Sequence, residues 1–82
     1  MNQISVYNVA GEYIYYGLWN SSTQCSFYNL DGEYFSYGLK TGSQMNIFNL
    51  DVEYISYGLF VGEKRINFYD PDANFISYGL QV

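Results

Sequence analysis

The sequence predicts an all-β fold in which eight antiparallel strands form four tandem β-hairpins. Three observations support this prediction. A tripeptide recurs four times, turn-forming residues lie at one fixed place in each repeat, and apolar and polar residues alternate on both sides of that place. The composition agrees with strands, because aromatic residues make up 22% of the chain and favour a pleated surface.

The repeat is marked by the tripeptide Tyr-Gly-Leu, whose four copies are spaced by 21, 20 and 21 residues. The segments before the tripeptide are also alike, as in CSFYNLDGEYFSYGL and MNIFNLDVEYISYGL. The repeats span approximately residues 4–18, 25–39, 45–59 and 66–80. Because they fill nearly the whole chain and leave no linker, we predict a single domain, residues 1–82.

The turn inside each repeat has the sequence NVAG, NLDG, NLDV or DPDA. Asn or Asp opens a type I turn, and glycine suits the left-handed position that follows. This pattern predicts a three-residue hairpin loop with a G1 bulge. Val52 and Ala73 replace the glycine in the last two copies, so we expect those two turns to be strained or differently built.

This loop predicts a register in which Tyr7 pairs with Tyr13, Val6 with Ile14 and Ser5 with Tyr15. Because successive residues of a strand point to opposite faces, the register also predicts which face forms the core. The predicted core face carries Ile4, Val6, Ile14, Tyr16, Leu18, Cys25, Phe27, Phe35, Tyr37, Leu39, Met45, Ile47, Ile55, Tyr57, Leu59, Ile66, Phe68, Ile76, Tyr78 and Leu80.

The connections between hairpins are short and polar, at residues 20–24, 41–44 and 62–64. Short connections favour antiparallel neighbours, so the strands should form an up-and-down meander. Closing such a meander into a barrel removes its exposed edges. We therefore favour a barrel-like sheet, with a short solenoid of stacked hairpins as the alternative.

The opposite face should carry rows of aromatic rings separated by serine and asparagine. These rings are the candidate ligand- or partner-binding residues: Tyr7, Tyr13, Tyr28, Tyr34, Phe48, Tyr54, Tyr69 and Phe75. Aromatic side chains bring large contact areas to binding surfaces and interfaces. The face therefore predicts a non-enzymatic binding module, with carbohydrate recognition of a lectin-like kind as the first hypothesis.

Two alternatives use the same observations. A contiguous aromatic surface is also typical of an interface between copies of one chain, so a homo-oligomer is expected if the face is not free. The small size, the acidity and the lack of catalytic groups also suit an intracellular inhibitor or adaptor that acts by protein–protein interaction, such as a phage-encoded protein. A glycan or a protein is thus the expected partner.

Catalytic chemistry is not predicted, and neither is a cofactor. The chain has no histidine, which is the usual general base and the commonest metal ligand. Cys25 takes a position that other copies fill with Ile4, Met45 and Ile66, so we expect a buried apolar thiol rather than a nucleophile.

The acidic residues raise two further site hypotheses. Three pairs resemble the paired acids of a glycosidase: Asp31 and Glu33, Asp51 and Glu53, and Asp70 and Asp72. They recur with the hairpin and lie at turns, where Asp is favoured, so turn chemistry is the preferred interpretation. A calcium site formed by Asn29, Asp31 and Glu33 is an alternative that lacks the spacing of a known calcium loop, and we predict no metal site.

The charge distribution bears on partners and location. The net charge of −5 argues against nucleic acid as a partner. No apolar stretch is long enough for a membrane helix, and Met1 to Ser5 show no signal peptide, so a cytoplasmic protein is expected. Seven of the eight acids lie at or near the hairpin tips, whereas Lys40, Lys64 and Arg65 lie at the other end.

The segment YNLDGEYFSYG resembles two known repeat families, and the likeness extends over all four repeats. It is similar to the aromatic hairpin repeats of choline-binding and glucan-binding cell-wall modules, and to the YD repeats of bacterial toxin shells. The resemblance implies a hairpin architecture and sugar binding. Cell-wall modules usually carry a tryptophan after the second glycine, where this chain has Leu18, Leu39, Leu59 and Leu80.

Overall fold

The fold is a closed barrel of eight antiparallel strands in chain order, seen in a computed structural model that describes residues 3–82. Met1 and Asn2, part of the segment considered for a signal peptide, lie outside the described residues. The strands are β1 (Gln3–Asn8), β2 (Tyr13–Trp19), β3 (Gln24–Asn29), β4 (Tyr34–Thr41), β5 (Gln44–Asn49), β6 (Tyr54–Val61), β7 (Arg65–Tyr69) and β8 (Phe75–Gln81).

Closure of the barrel comes from pairing between β1 and β8, in which Val6 lies opposite Gly79. Every other strand pairs with its neighbours in the chain. The predicted meander and its closure are therefore confirmed, and the solenoid alternative is wrong, because a solenoid would leave the first and last hairpins apart. No helix among the described residues has the length and apolar character needed to cross a membrane.

The four hairpin turns share one structure, as the tip of the second hairpin illustrates. The Gly32 amide donates to the Asn29 carbonyl at 2.9 Å, and the Asn29 amide donates to the Glu33 carbonyl at 2.9 Å. Gly32 has a φ of 82°, as the predicted G1 bulge requires. Val52 and Ala73 keep this left-handed conformation, with φ of 64° and 68°. These two turns are thus strained but not differently built.

The register differs from the prediction beyond the first pair of each hairpin. Tyr7 pairs with Tyr13 as expected, but Val6 pairs with Tyr15 rather than Ile14, and Ser5 pairs with Tyr16. A β-bulge places Ile14 outside the regular pairing, and the other three hairpins have the same irregularity. One extra residue reverses the faces of everything that follows it in the strand.

The core prediction was consequently right for the odd-numbered strands and wrong for much of the even-numbered ones. The buried apolar side chains all come from the odd strands: Ile4, Val6, Cys25, Phe27, Met45, Ile47, Ile66 and Phe68. The predicted core residues that lie outside instead are Tyr16, Tyr37, Tyr57 and Tyr78, which are half-buried, and Leu18, Leu39, Leu59 and Leu80, which are exposed.

The bulge residues of the even strands divide into two groups. Ile14 and Phe35 pack against the core, as predicted. Ile55 and Ile76 are 38% and 42% exposed, so their assignment to the core was wrong. Near the hairpin turns, the first two hairpins therefore cover the core more fully than the last two do.

Small residues of the even strands make room for two phenylalanines inside the barrel. Phe27 and Phe68 meet edge to face, with ring centroids 6.2 Å apart. A Cβ on Gly17 would lie 2.8 Å from the Phe27 ring, and one on Gly58 would lie 3.0 Å from the Phe68 ring. An eight-stranded barrel has an interior just wide enough for side chains, so glycine is needed beside each ring.

Tyr15 is the exception among the inward residues of the even strands. The other three copies have the buried Ser36, Ser56 and Ser77 at this position. The Tyr15 ring packs edge-on against Phe35 and Phe27, at centroid distances of 5.1 and 5.7 Å. One large side chain thus fills the space that four equivalent tyrosines would overfill.

Candidate functional site

The eight aromatic residues proposed as a binding face lie on the outside of the barrel. Four more rings pack against them there, and these are Tyr16, Tyr37, Tyr57 and Tyr78. The Tyr-Gly-Leu tyrosine of each repeat stacks on the aromatic residue that directly precedes the turn of the following repeat around the barrel, because the bulge turns that tyrosine outward. Each group of three rings, which we call a triad, spans three neighbouring strands. The triads are Tyr78–Tyr7–Tyr13, Tyr16–Tyr28–Tyr34, Tyr37–Phe48–Tyr54 and Tyr57–Tyr69–Phe75.

The geometry within a triad is nearly the same in all four copies. In the second triad, Tyr16 stacks on Tyr28 at a centroid distance of 5.5 Å and an interplanar angle of 18°. Tyr34 then tilts against Tyr28 at 5.7 Å and 45°. The middle ring is therefore covered on both sides, and the last ring has one ring neighbour among the described residues.

The last ring of each triad is the most exposed. Tyr13, Tyr34, Tyr54 and Phe75 are 42%, 43%, 45% and 43% exposed, whereas the middle rings are half-buried. Each last ring directly follows a turn, next to Glu12, Glu33, Glu53 or Asn74 in the sequence. The structure thus places four similar aromatic patches near the acidic end of the barrel.

The acidic residues at the tips serve the turns. Asn29 Oδ1 accepts the amides of Asp31 and Glu33 at 3.0 and 2.9 Å, and Asn29 Nδ2 donates to Glu33 Oε1 at 2.7 Å. The Glu33 side chain thus takes part in the turn, whereas Asp31 contributes its backbone amide. The proposed calcium ligands bond to each other, and no group of three metal-binding side chains occurs within residues 3–82.

The fourth tip reverses the side-chain roles of the other three. Asp70 replaces the asparagine and Asn74 replaces the glutamate, so Asn74 Nδ2 now donates to Asp70 Oδ2 at 3.0 Å. Hydrogen bonds from the Asn74 backbone amide and then from its side chain lower the pKa of the Asp70 carboxyl. The fourth turn thus keeps a side-chain hydrogen bond between the same two positions, because the donor and the acceptor have been exchanged together.

At the opposite end of the barrel, which we call the mouth, one position differs in all four repeats. The residue after each Tyr-Gly-Leu lies here, and the four copies have Trp19, Lys40, Phe60 and Gln81. These four side chains and the loop residues Asn20, Ser21 and Ser22 line a depression of about 460 Å³. A smaller depression of about 320 Å³ adjoins it and shares Lys40, Phe60 and Gln81.

Contacts between the four mouth residues hold them in place. The Lys40 ammonium lies 5.1 Å from the centre of the Phe60 ring and donates to the Gly42 carbonyl at 2.7 Å. The Trp19 ring lies 6.4 Å from the Phe60 ring, at 35°. Sequence reasoning missed this site, although Trp19 was a visible break in the repeat; comparing the four copies at this one position would have found it.

Two buried groups inside the barrel, the Cys25 thiol and the Tyr15 hydroxyl, resist ionisation. Cys25 is fully buried, as predicted, and burial raises the pKa of its thiol to about 12. Burial likewise raises the pKa of the Tyr15 hydroxyl to about 12, against a smaller lowering by Ser77. Ser77 Oγ still lacks a partner that meets ordinary hydrogen-bond geometry. A thiol held protonated is a poor nucleophile.

Comparison with protein-family models, with curated proteins and with solved structures finds no match for this chain.

Proposed function

We propose that this protein is a non-enzymatic binding module that recognises carbohydrate through the last rings of its four triads. The observation that supports the proposal most directly is the exposure of Tyr13, Tyr34, Tyr54 and Phe75, at 42–45% each, on equivalent sites around one barrel. Each ring has a face that no other ring of the described structure covers, and a sugar ring can pack on such a face.

The triads prepare these rings for binding. Tyr34 is held against Tyr28, which is itself stacked on Tyr16. Ordering a side chain on binding costs roughly 0.5–1.5 kcal/mol, and a ring already held by its neighbours avoids most of that cost. Three strands contribute to one triad, so the position of the last ring depends on the rigid sheet rather than on a loop.

The turn carboxylates supply hydrogen-bond acceptors beside the rings. Glu33 Oε1 accepts a hydrogen bond from Asn29 Nδ2 at 2.7 Å. No hydrogen bond to Glu33 Oε2 occurs within residues 3–82. Glu12 and Glu53 are arranged in the same way. Because each of these glutamates directly precedes an exposed tyrosine in the sequence, the proposed site offers a sugar both an apolar face and an acceptor for its hydroxyl groups.

The fourfold repetition should raise the affinity of the protein for glycans. A single ring is a weak site, and three of the four rings follow a glutamate whereas Phe75 follows Asn74. Four exposed rings on one barrel can nevertheless engage a branched or polymeric glycan together. Linked sites gain about 10²- to 10⁴-fold over one site when the ligand can reach them simultaneously. We therefore expect weak binding of monosaccharides and much stronger binding of multivalent glycans.

The test is a glycan array followed by titration of the best ligand. The variant with Tyr13, Tyr34, Tyr54 and Phe75 all changed to alanine should bind a multivalent glycan at least about 100-fold more weakly. Leu30→Ala is the matched control, because Leu30 is 55% exposed at the same end but belongs to no triad. An array without hits, or undiminished binding by the fourfold variant, would refute the proposal.

A protein partner is the second candidate function, and the outward leucines favour it. Leu18, Leu39, Leu59 and Leu80 are 38–42% exposed on the same outer surface as the triads. Leucines beside tyrosines are typical of a protein interface, either with another protein or with a second copy of this chain. Light scattering of the parent and of Leu39→Ser distinguishes self-association, which the variant should weaken, from a monomer that binds glycan.

A further inference from the structure

We propose that the mouth of the barrel is a second binding site, which takes a small planar anion such as an aromatic carboxylate. The site is distinct from the exposed last rings of the triads, which lie near the opposite end. It consists of the 460 Å³ depression lined by Trp19, Lys40, Phe60 and Gln81. An aromatic carboxylate of naphthalene size fits a space of this volume, since ligand pockets start at roughly 300 Å³.

The internal repeat points to a specialised role for these four residues. The tyrosine, glycine and leucine directly before this position are identical in all four copies, whereas the position itself differs in every copy. A barrel end that only needed closing could use one residue type four times. Instead the position holds two aromatic residues, one cation and one amide, which is the mixture that an asymmetric ligand requires.

The charge of the mouth selects for an anion. Lys40, Lys64 and Arg65 are all the cations of the chain, and all lie at or near this end. Glu63 is the one acid that does not belong to the hairpin tips. The mouth is therefore the positive end of a protein whose net charge is −5, and Lys40 is the cation that lines the depression.

The shape of the mouth selects for a flat ligand. The Trp19 and Phe60 rings are 35° apart, with centroids 6.4 Å from each other, so they form two sides of an open corner. The Lys40 ammonium lies over Phe60 and keeps donors beyond the one that it gives to Gly42. The centroid distance of 6.4 Å is too short for a third ring between them, so a flat ligand would lie across the open side of the pair, with its carboxylate toward this ammonium.

The mouth is also preorganised for binding. The Trp19 indole is held by Gln81, whose own amide nitrogen donates to the Glu63 carbonyl at 2.9 Å. The Gln81 amide group is thus used on both its oxygen and its nitrogen. We therefore assign Gln81 to positioning Trp19, and Lys40 to contacting the anion.

The test is a titration of the 15N-labelled protein with 1-naphthoate, followed by NMR. Because Trp19 is the chain's one tryptophan, its indole N–H signal reports on the mouth without ambiguity. We expect a saturable shift of this signal and of the backbone amides of residues 20–22 and 40. The neutral probe 1-naphthamide should bind about tenfold more weakly, since a hydrogen bond to a charged group is lost.

Two variants of equal charge separate a specific contact from the general field. Lys40→Met should weaken naphthoate binding about tenfold and leave naphthamide binding nearly unchanged. Lys64→Met removes a cation from the same end but not from the lining of either depression, and should have a small effect. Equal binding of naphthoate and naphthamide by the parent, shifts centred on the triads, or no saturable shift would each overturn the proposal.

Discussion

Trp19 Nε1 donates a 2.9 Å hydrogen bond to Gln81 Oε1, which joins the end of β2 to the end of β8 across 62 residues of sequence. The two strands do not pair with each other, because β1 lies between them. Gln81 also bonds to the connection between β6 and β7 through the Glu63 carbonyl. At the mouth, one bond of Gln81 thus links the first and last repeats, and the other links the last repeat to the connection between β6 and β7.

Removing this link should loosen the mouth. Gln81→Leu keeps the approximate size of the side chain but deletes both bonds, and we expect the free energy of unfolding in urea to fall by about 1–2 kcal/mol. Trp19 fluorescence should shift to longer wavelength, because the indole becomes more mobile and better hydrated. Gln44→Leu is the control, since Gln44 makes an exposed bond to Asn46 within one strand. A similar loss of stability in both variants would contradict the assigned role.

Adding a methyl group inside the barrel should be most costly where the neighbour is rigid. A Cβ at position 58 would lie 2.8 Å from Ile66 Cγ2 and 3.0 Å from the Phe68 ring. We therefore expect Gly58→Ala to lower the free energy of unfolding by about 1–3 kcal/mol or more. Urea denaturation of the variant measures this change.

The matched comparison is Gly38→Ala at the equivalent position of the second repeat. The new Cβ would press mainly on the Met45 side chain, with the Phe27 ring 3.2 Å away. Methionine is unbranched and repacks easily, so this variant should be the more stable of the two. The opposite order of stabilities would show that the barrel, rather than the side chains, yields to the added atom.

Introducing glycine into the two turns that lack it should stabilise the protein. Val52 and Ala73 have positive φ values of 64° and 68°, which cost a non-glycine residue roughly 1–2 kcal/mol. Part of the gain is offset because glycine makes the unfolded chain more flexible. We expect Val52→Gly to raise the free energy of unfolding by about 0.5–1 kcal/mol.

A reciprocal variant provides the control for the turn. Gly32→Val introduces into the second tip the residue that the third tip already has, and it should destabilise by a similar amount because Gly32 has a φ of 82°. Thermal unfolding of both variants checks the pair. If neither changes the midpoint, the turn conformation contributes little to stability.

Stability should fall in alkaline solution because two buried acidic groups resist ionisation. The folded state raises the pKa of Cys25 from 9.0 and that of Tyr15 from 10.0, each to about 12. The unfolded chain therefore loses these protons first, so the stabilising effect is complete below about pH 9 and is lost as the pH rises toward about 12. Urea denaturation across this range should show the decline.

Tyr15→Phe isolates one of the two groups. The variant keeps the ring between Phe27 and Phe35 but has no proton to lose, so its decline should be smaller by about 1 kcal/mol near pH 11. At neutral pH the same variant should differ from the parent by a constant, small amount. Parallel curves over the whole range would mean that Tyr15 does not contribute to the alkaline loss.

The repeat, the turns and the strands could be predicted from sequence because they depend on local contacts. Asn29 and Glu33 are four residues apart and bond to each other, so the pattern NxxxE identifies three of the turns, and DxxxN identifies the fourth. The odd strands could be predicted for a similar reason. Phe27 is apolar and its neighbours Ser26 and Tyr28 are polar or amphipathic, so alternation alone identifies the inner face.

The even strands could not be assigned in this way, because both of their faces carry apolar side chains. Tyr16 and Leu18 alternate with Tyr15 and Gly17, and a period of two does not say which pair points inward. The tertiary structure decides, since the interior of eight strands has room for glycine and serine beside Phe27 and Phe68 but not for four more tyrosines.

The sequence by itself therefore determined the hairpins, their turns, the number of strands and the buried residues of the odd strands. Only the tertiary structure decided the β-bulge at Ile14 and at the equivalent residue of each hairpin, and with it the outward turn of the Tyr-Gly-Leu tyrosines into triads. It also decided that Trp19 and Gln81, 62 residues apart, meet at the mouth. Local hydrogen bonds determine a turn wherever it occurs, whereas the limited space inside a closed barrel exists only after β1 has paired with β8.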